Sequence, residues 1–312
     1  MNPKKILIIG AGAIGSFYGA LLAKAGARVS VVCRSDYTIV KEQGIQIDSL
    51  NLGQWTFKPE YVLAHSKDYP DTADTVILCT KVIPSIDRIA LLRPAVSPQT
   101  RIAFIQNGVG IESELTDAFP NHDVISGLAF ICCNRTAPGQ VKHLAYGKLT
   151  LGSLNYARFG DSNTKELCQL INQAGIEAIT SSDIITSRWL KCLWNASFNP
   201  LSVLSGGLPT QTLLKHQEPL IRRIMHEVSQ VASVSGHPLP PDSIDMNITH
   251  TAQMPPYKTS MLLDFERHQP MEIDAIIGNT LQIAAKLNID TPILQTLYAL
   301  MKLKEIPCSV KQ

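Results

Sequence analysis

The stretch from Lys5 to Lys24, KILIIGAGAIGSFYGALLAK, decides the fold. It opens on Lys5–Ile9, where Ile6, Leu7, Ile8 and Ile9 form the unbroken aliphatic run of a strand buried on both faces. Gly10, Ala11, Gly12, Ala13, Ile14 and Gly15 follow as a GxGxxG, and residues 14–24 read as a helix. Each glycine has a mechanical reason. Gly10 permits a tight turn, Gly12 lets the backbone approach a pyrophosphate, and Gly15 lets the helix lie against the strand. The free N–H groups and partial positive charge at the start of the helix suit phosphate. Strand, glycine turn and helix together predict a dinucleotide-binding loop.

The pattern extends outward from this unit. Arg28–Val32 (RVSVV) is a second strand, and residues 75–80 (TVILCT) and Arg101–Ile105 (RIAFI) repeat the apolar type. Strands alternating with helical segments predict an α/β fold, a doubly wound Rossmann domain. Residues 124–130, 139–143 and 148–151 are strand-rich, and the last two flank Ala145-Tyr146-Gly147 like the arms of a hairpin. A helix over 164–175 and a strand over 177–180 complete the domain. After Asp183 the β signal ends, and helices are expected over 184–204, around 219–235, and over 271–287 and 292–304. A Rossmann domain over 1–182 and an all-helical domain over 183–312 are therefore expected.

Composition bounds the function. The 312 residues are 45% hydrophobic and 17% charged, which excludes a disordered chain. Lys and Arg (28) nearly balance Asp and Glu (26), which excludes a globally basic nucleic-acid binder. The cysteines at 33, 79, 132, 133, 168, 192 and 308 form no CxxC pair, and several sit in apolar runs, as in a reducing compartment. The eight histidines form no close ligand cluster, so no metal is expected. The N-terminal apolar run is too short for a signal segment, and no stretch approaches a membrane span, so the reading is cytoplasmic. The apolar helices of the second domain either pair between chains, as in a homodimer, or pack within one.

Two further features carry chemistry. The second strand ends in Val32-Cys33-Arg34-Ser35. A guanidinium at this position matches a ribose 2′-phosphate in charge and shape, which favours NADP over NAD. Asp36 offers the competing reading, a carboxylate for the 2′-hydroxyl. In the helix expected over 184–204, Lys191, Asn195 and Asn199 recur at i, i+4 and i+8 and so share one face. Trp189, Leu190, Leu193, Trp194 and Phe198 fill the other faces, so the polar line turns toward a pocket if it is not solvated. A lysine there can protonate a carbonyl oxygen as hydride reaches carbon, with asparagines holding a carboxylate or hydroxyl. Pro200 is expected to bend the helix.

The chain resembles the ketopantoate reductase (2-dehydropantoate 2-reductase) family over nearly its whole length. The resemblance rests on CTKV at 79–82, QNGVG at 106–110, RWLKCLWNASFNPLS at 188–202, TSMLLDFERHQPMEIDAIIGN at 259–279 and Thr291-Pro292. It implies NADPH-dependent reduction of a 2-keto acid in a cleft between a Rossmann and a helical domain. It further implies Lys191 as general acid and Glu272 as a second essential polar group. Substrate contacts would come from Asn107, Asn195, Asn199 and Ser260, and cofactor contacts from Arg34, Lys81 and Asn107. The residues alone leave other readings open. Glu272 could serve a helix dipole, Ser260 could be a helix cap, and Asn107-Gly108 could be plain turn chemistry. Lys81, just past an apolar strand, is a rival proton donor. One departure stands out: residues 203–214, VLSGGLPTQTLL, lack the asparagine that the family often carries there. The remaining alternatives are a reductase of another branched keto acid and a non-catalytic NADP(H) sensor.

Overall fold

The computed structural model describes residues 3–255 and 258–306. The chain divides into two compact units, Met1–Gln106 with Glu112–Ile184, and Asn107–Ile111 with Ile185–Gln312.

The first unit is α/β. In chain order it holds β1 (Lys5–Ile9), α1 (Ala13–Lys24), β2 (Arg28–Val32), α2 (Tyr37–Gln43), β3 (Ile45–Ser49), β4 (Gly53–Phe57) and β5 (Val62–Leu63). There follow β6 (Thr75–Leu78), α3 (Arg88–Leu92), β7 (Arg101–Ile105), α4 (Ser113–Ala118), β8 (Val124–Ala137) and β9 (Gln140–Ser153). The unit ends with α5 (Tyr156–Phe159), α6 (Ser162–Gln173) and β10 (Ala178–Thr180). The sheet order is β4-β3-β9-β8-β7-β6-β1-β2-β5, with β10 beside β9. From β8 through β5 every pairing is parallel. The chain leaves β1 toward β2 on one side and returns to β6 on the other, so the crevice at the end of β1 is the topological switch point where such sheets bind ligands. The inner strands are apolar because both faces are covered: Ile6, Leu7, Ile8, Val76 and Leu78 are all inaccessible to solvent.

The strand-rich segment differs from expectation. The segments expected over 139–143 and 148–151 are not two arms of a hairpin: residues 140–143 and 148–151 belong to one strand, β9, paired antiparallel with β8. The turn is Pro138-Gly139, and Ala145-Tyr146-Gly147 is a bulge. Tyr146 and Gly147 both take positive φ (63° and 118°), and the register shifts between Phe130 and Ile131 opposite them. A bulge and a turn share the same residue chemistry, and only the pairing partner distinguishes them. The short strands β3, β4 and β5 were not anticipated. β3 and β5 gain their places through parallel pairing with β9 and β2, which no local pattern announces.

The second unit is helical, with α7 (Ile184–Leu204), α8 (Thr210–Val234), α9 (Ser243–Gln253), α10 (Ser260–Glu266), α11 (Asn279–Lys286) and α12 (Pro292–Glu305). α7 runs through Pro200 to Leu204. It is buried nearly all round, with Trp189, Cys192, Leu193, Ala196, Phe198 and Val203 in the unit's core. α8 starts earlier than expected and contains a break, because Gln217 leaves helical φ/ψ two residues before Pro219. The Glu227 carboxylate accepts from the N–H groups of Ile293 (3.0 Å) and Leu294 (2.9 Å), capping α12 just after Thr291-Pro292. Six cysteines are free thiols, and Cys308 lies outside the described residues. No helix among the described residues is long and apolar enough to cross a membrane. No described cluster of His, Cys, Asp and Glu could hold a metal ion.

Candidate active site

The candidate residues fall into two constellations, one in each unit. The first is the glycine loop between β1 and α1. Gly10 has φ 98°, and a Cβ there would lie 2.9 Å from the Thr80 nitrogen, so the turn admits no side chain. A Cβ on Gly15 would lie 2.2 Å from the Gly10 carbonyl oxygen and 3.0 Å from Ile8 and Cys79. Gly15 is thus the point where α1 presses on the sheet. Gly12 is different: a Cβ there would meet nothing within 4 Å. It is the N-cap of α1, its side-chain position faces open space, and the first turn of the helix holds no acidic residue. An open backbone cradle at a helix N-terminus with no competing carboxylate fits a pyrophosphate.

Lys81, Arg34 and Asp36, singled out in the sequence, lie in the same unit as that loop. Lys81 follows Thr80, which packs on Gly10, and lies partly buried beyond the end of β6. Gln106 ties this segment down by donating to the Thr80 carbonyl at 2.7 Å. Arg34 is exposed just past β2, and its side chain makes no hydrogen bond or ion pair with the described residues. Asp36, its rival in the sequence, is only 3% exposed. Its carboxylate is already engaged by Ser35, Arg135 and the Gly139 N–H, which leaves no ready acceptor for a ribose hydroxyl.

The second constellation lies in the helical unit and joins three separate chain segments. The Lys191 ammonium donates to Asn107 Oδ1 at 2.9 Å, and Asn107 Nδ2 donates to a Glu272 carboxylate oxygen at 3.1 Å. Burial pushes the lysine down to about 8, the Arg188 cation adds to this, and Glu272 opposes it. Asn107 is more than turn chemistry, because it bridges the two ionisable groups. Glu272 precedes a π-helical turn, Asp274–Gly278, at the head of α11. There the Asn279 N–H reaches back to Asp274 instead of Ala275. The freed Ala275 carbonyl accepts the Val109 N–H at 3.1 Å. Asn279 Nδ2 donates to the Val109 carbonyl at 2.8 Å, and Arg188 donates to the Gly108 carbonyl at 3.1 Å. Gly108 has φ 110°, and a Cβ would sit 2.6 Å from the Ala275 oxygen, so this close docking requires glycine.

Along the polar line on α7, Lys191 is half-buried and the two asparagines are buried. Asn195 is 8% and Asn199 1% exposed. Neither polar atom of the Asn199 side chain has a hydrogen-bond partner among the described residues. Other buried polar groups of α7 are satisfied locally, Ser197 by the Leu193 carbonyl and Ser202 by the Asn199 carbonyl. A buried amide with both ends unpaired costs free energy unless something else binds it. Ser260 is not joined to this chain of contacts. It lies exposed at the first position of α10, and the cap is the preceding Thr259, whose hydroxyl accepts from the Leu262 N–H.

Arg188 and Asn279 were not singled out in the sequence as site residues. Arg188 is 1% exposed and anchors the Asn107 segment. Its signal was available, since it lies three residues before Lys191 on the same helix face.

Comparison with known proteins agrees with this architecture. The model of "Ketopantoate reductase PanE/ApbA" matches residues 6–156, and that of its C-terminal part matches residues 183–305. The chain belongs to the ketopantoate reductase family. A 2-dehydropantoate 2-reductase from Nostoc sp. is 31% identical over 97% of this chain and 95% of its own length. A crystal structure of 2-dehydropantoate 2-reductase from Methylococcus capsulatus has 51% sequence identity and a TM-score of 0.92, over 98% of both chains. A ternary structure of D-mandelate dehydrogenase with NADH and anilino(oxo)acetate is 26% identical with a TM-score of 0.87, over 96% of this chain and 98% of that one. The family is one of dinucleotide-dependent reductases.

Proposed function

We propose that the protein reduces 2-dehydropantoate to pantoate with NADPH, with Lys191 as general acid. The observation that carries this reading is the Lys191–Asn107–Glu272 chain, with Lys191 on a helix whose polar line also holds the buried Asn199 amide, without a partner among the described residues. A bound nicotinamide supplies the hydride that reaches the keto carbon. The protein must then neutralise the alkoxide forming on oxygen. The Lys191 ammonium gives its proton to that oxygen, so the carbonyl gains one hydride and one proton and leaves as a hydroxyl. Burial and Arg188 place the lysine near a pKa of about 8, where it is protonated at neutral pH yet gives up its proton readily. Asn107 holds the ammonium in place through its amide oxygen and is itself held by Glu272. Asn195 and Asn199 offer neutral donors and acceptors for the substrate's carboxylate and hydroxyl. The exposed Arg34 supports a 2′-phosphate at the ribose, and Lys81 supports a cofactor role over a second proton donor.

The loss of NADPH absorbance with 2-dehydropantoate and a panel of 2-keto acids tests the reading. It predicts the highest kcat/KM for 2-dehydropantoate. A second reading, reduction of another branched 2-keto acid, draws on the absence of asparagine in residues 203–214 and predicts a different best substrate. Cofactor binding without turnover of any keto acid would instead indicate a sensor.

A further inference from the structure

The loop after β2 holds two residues suited to opposite cofactors. Arg34 matches a 2′-phosphate, and Asp36 matches a bare 2′-hydroxyl. The structure treats them unequally. Asp36 is buried, and three donors occupy its carboxylate: Ser35 Oγ at 2.7 Å and Arg135 Nη1 at 2.5 Å on Oδ1, and the Gly139 N–H at 2.9 Å on Oδ2. Arg135 Nη1 also donates to Ser35 Oγ at 3.0 Å. Two of the three donors therefore come from the tip of the β8–β9 hairpin, about one hundred residues along the chain. Ser35, the third, sits between Arg34 and Asp36, so the Arg135 guanidinium rests on the ribose end of the loop.

We infer that Arg135 sets cofactor choice by sequestering Asp36. It offsets the only carboxylate in the segment from Cys33 to Tyr37 and keeps it from the ribose, so that Arg34 alone meets the 2′ position. Without Arg135 the Asp36 charge lacks its counter-ion. An uncompensated buried carboxylate is costly, which favours its release toward solvent and the ribose. There it would accept from a 2′-hydroxyl and repel a 2′-phosphate. Arg135 is itself 41% exposed at its side chain, so replacing it leaves no buried void. This inference rests on the assignment of the loop to the cofactor's ribose.

Fluorescence titration with NADPH and with NADH, on the whole protein without substrate, tests it. Arg135→Gln is expected to weaken NADPH binding about tenfold or more, the weight of one charge-assisted contact, with NADH binding unchanged or improved. The double variant Arg135→Gln/Asp36→Asn should recover most of the NADPH affinity, because the offending charge is gone. Arg135→Lys, which keeps the charge, should hold the preference and serves if Arg135→Gln does not fold. Equal weakening of both cofactors by Arg135→Gln, no recovery in the double variant, or loss of the preference in Arg135→Lys would overturn the inference. Wild-type protein that binds NADH as tightly as NADPH would remove the Arg34 reading itself, and this inference with it.

Discussion

The glycine loop and the Lys191 cluster are built by opposite means. The loop is built from backbone: Gly10 and Gly15 leave no room for a side chain and Gly12 faces open space, all within six consecutive residues. The lysine site works through side chains, and its three members at 107, 191 and 272 come together only in the folded chain. A backbone site is therefore tolerant of what surrounds it and intolerant of added atoms. The side-chain site depends instead on partners held by distant segments, here through the π-helical turn and Arg188.

The strongest way to break this contrast is Lys191→Ala. Turnover with the keto acid is expected to fall about 10²–10⁴-fold, the weight of a general acid, with NADPH affinity nearly unchanged. If most activity survives, Lys81 carries the proton instead. On the backbone side, Gly15→Ala forces a methyl against the Gly10 carbonyl and should cost about 1–3 kcal/mol in urea unfolding. Gly12→Ala meets no atom and should leave Tm unchanged while weakening cofactor binding about tenfold. Equal losses of stability in the two variants would show that Gly12 has no ligand role.

Asn199→Leu separates binding from folding on the side-chain side. It replaces the amide with an apolar side chain of the same heavy-atom count and branching, so Tm should hold or rise while KM for the keto acid increases about tenfold. A fall in Tm with KM unchanged would mean that the amide is structural. The mildest test is pH. Reduction needs the Lys191 ammonium, so its rate is full below about 8 and declines as pH rises through that value, while oxidation of the hydroxy acid rises over the same range. The folded pKa lies below the unfolded value, so the protonated lysine costs stability below about 8, and that cost fades as pH climbs toward 10.5. Lys191→Met should accordingly raise Tm at neutral pH despite the loss of activity.

Legibility in the sequence follows the same division. β1, β2, β7 and α7 were readable to the residue, because buried parallel strands and a buried helix carry uniform local patterns. The β8–β9 pairing was misplaced, because its bulge at Tyr146-Gly147 carries turn residues. The stripe of Lys191, Asn195 and Asn199 was visible from spacing, but its burial was not, since exposed and buried polar lines share one period. Arg188 was overlooked because an arginine on a helix is ordinarily solvated.

The sequence alone therefore determined the strand–glycine–helix unit and the helical register of α7, because both depend on neighbours a few residues apart. Tertiary structure decided that Asn107 links Lys191 to Glu272, that Asn199 lacks partners among the described residues and that Asp36 is tied to Arg135. These are contacts between segments tens to a hundred or more residues apart. Charge, hydrogen bonding and desolvation act through space, and only the fold sets which side chains share it.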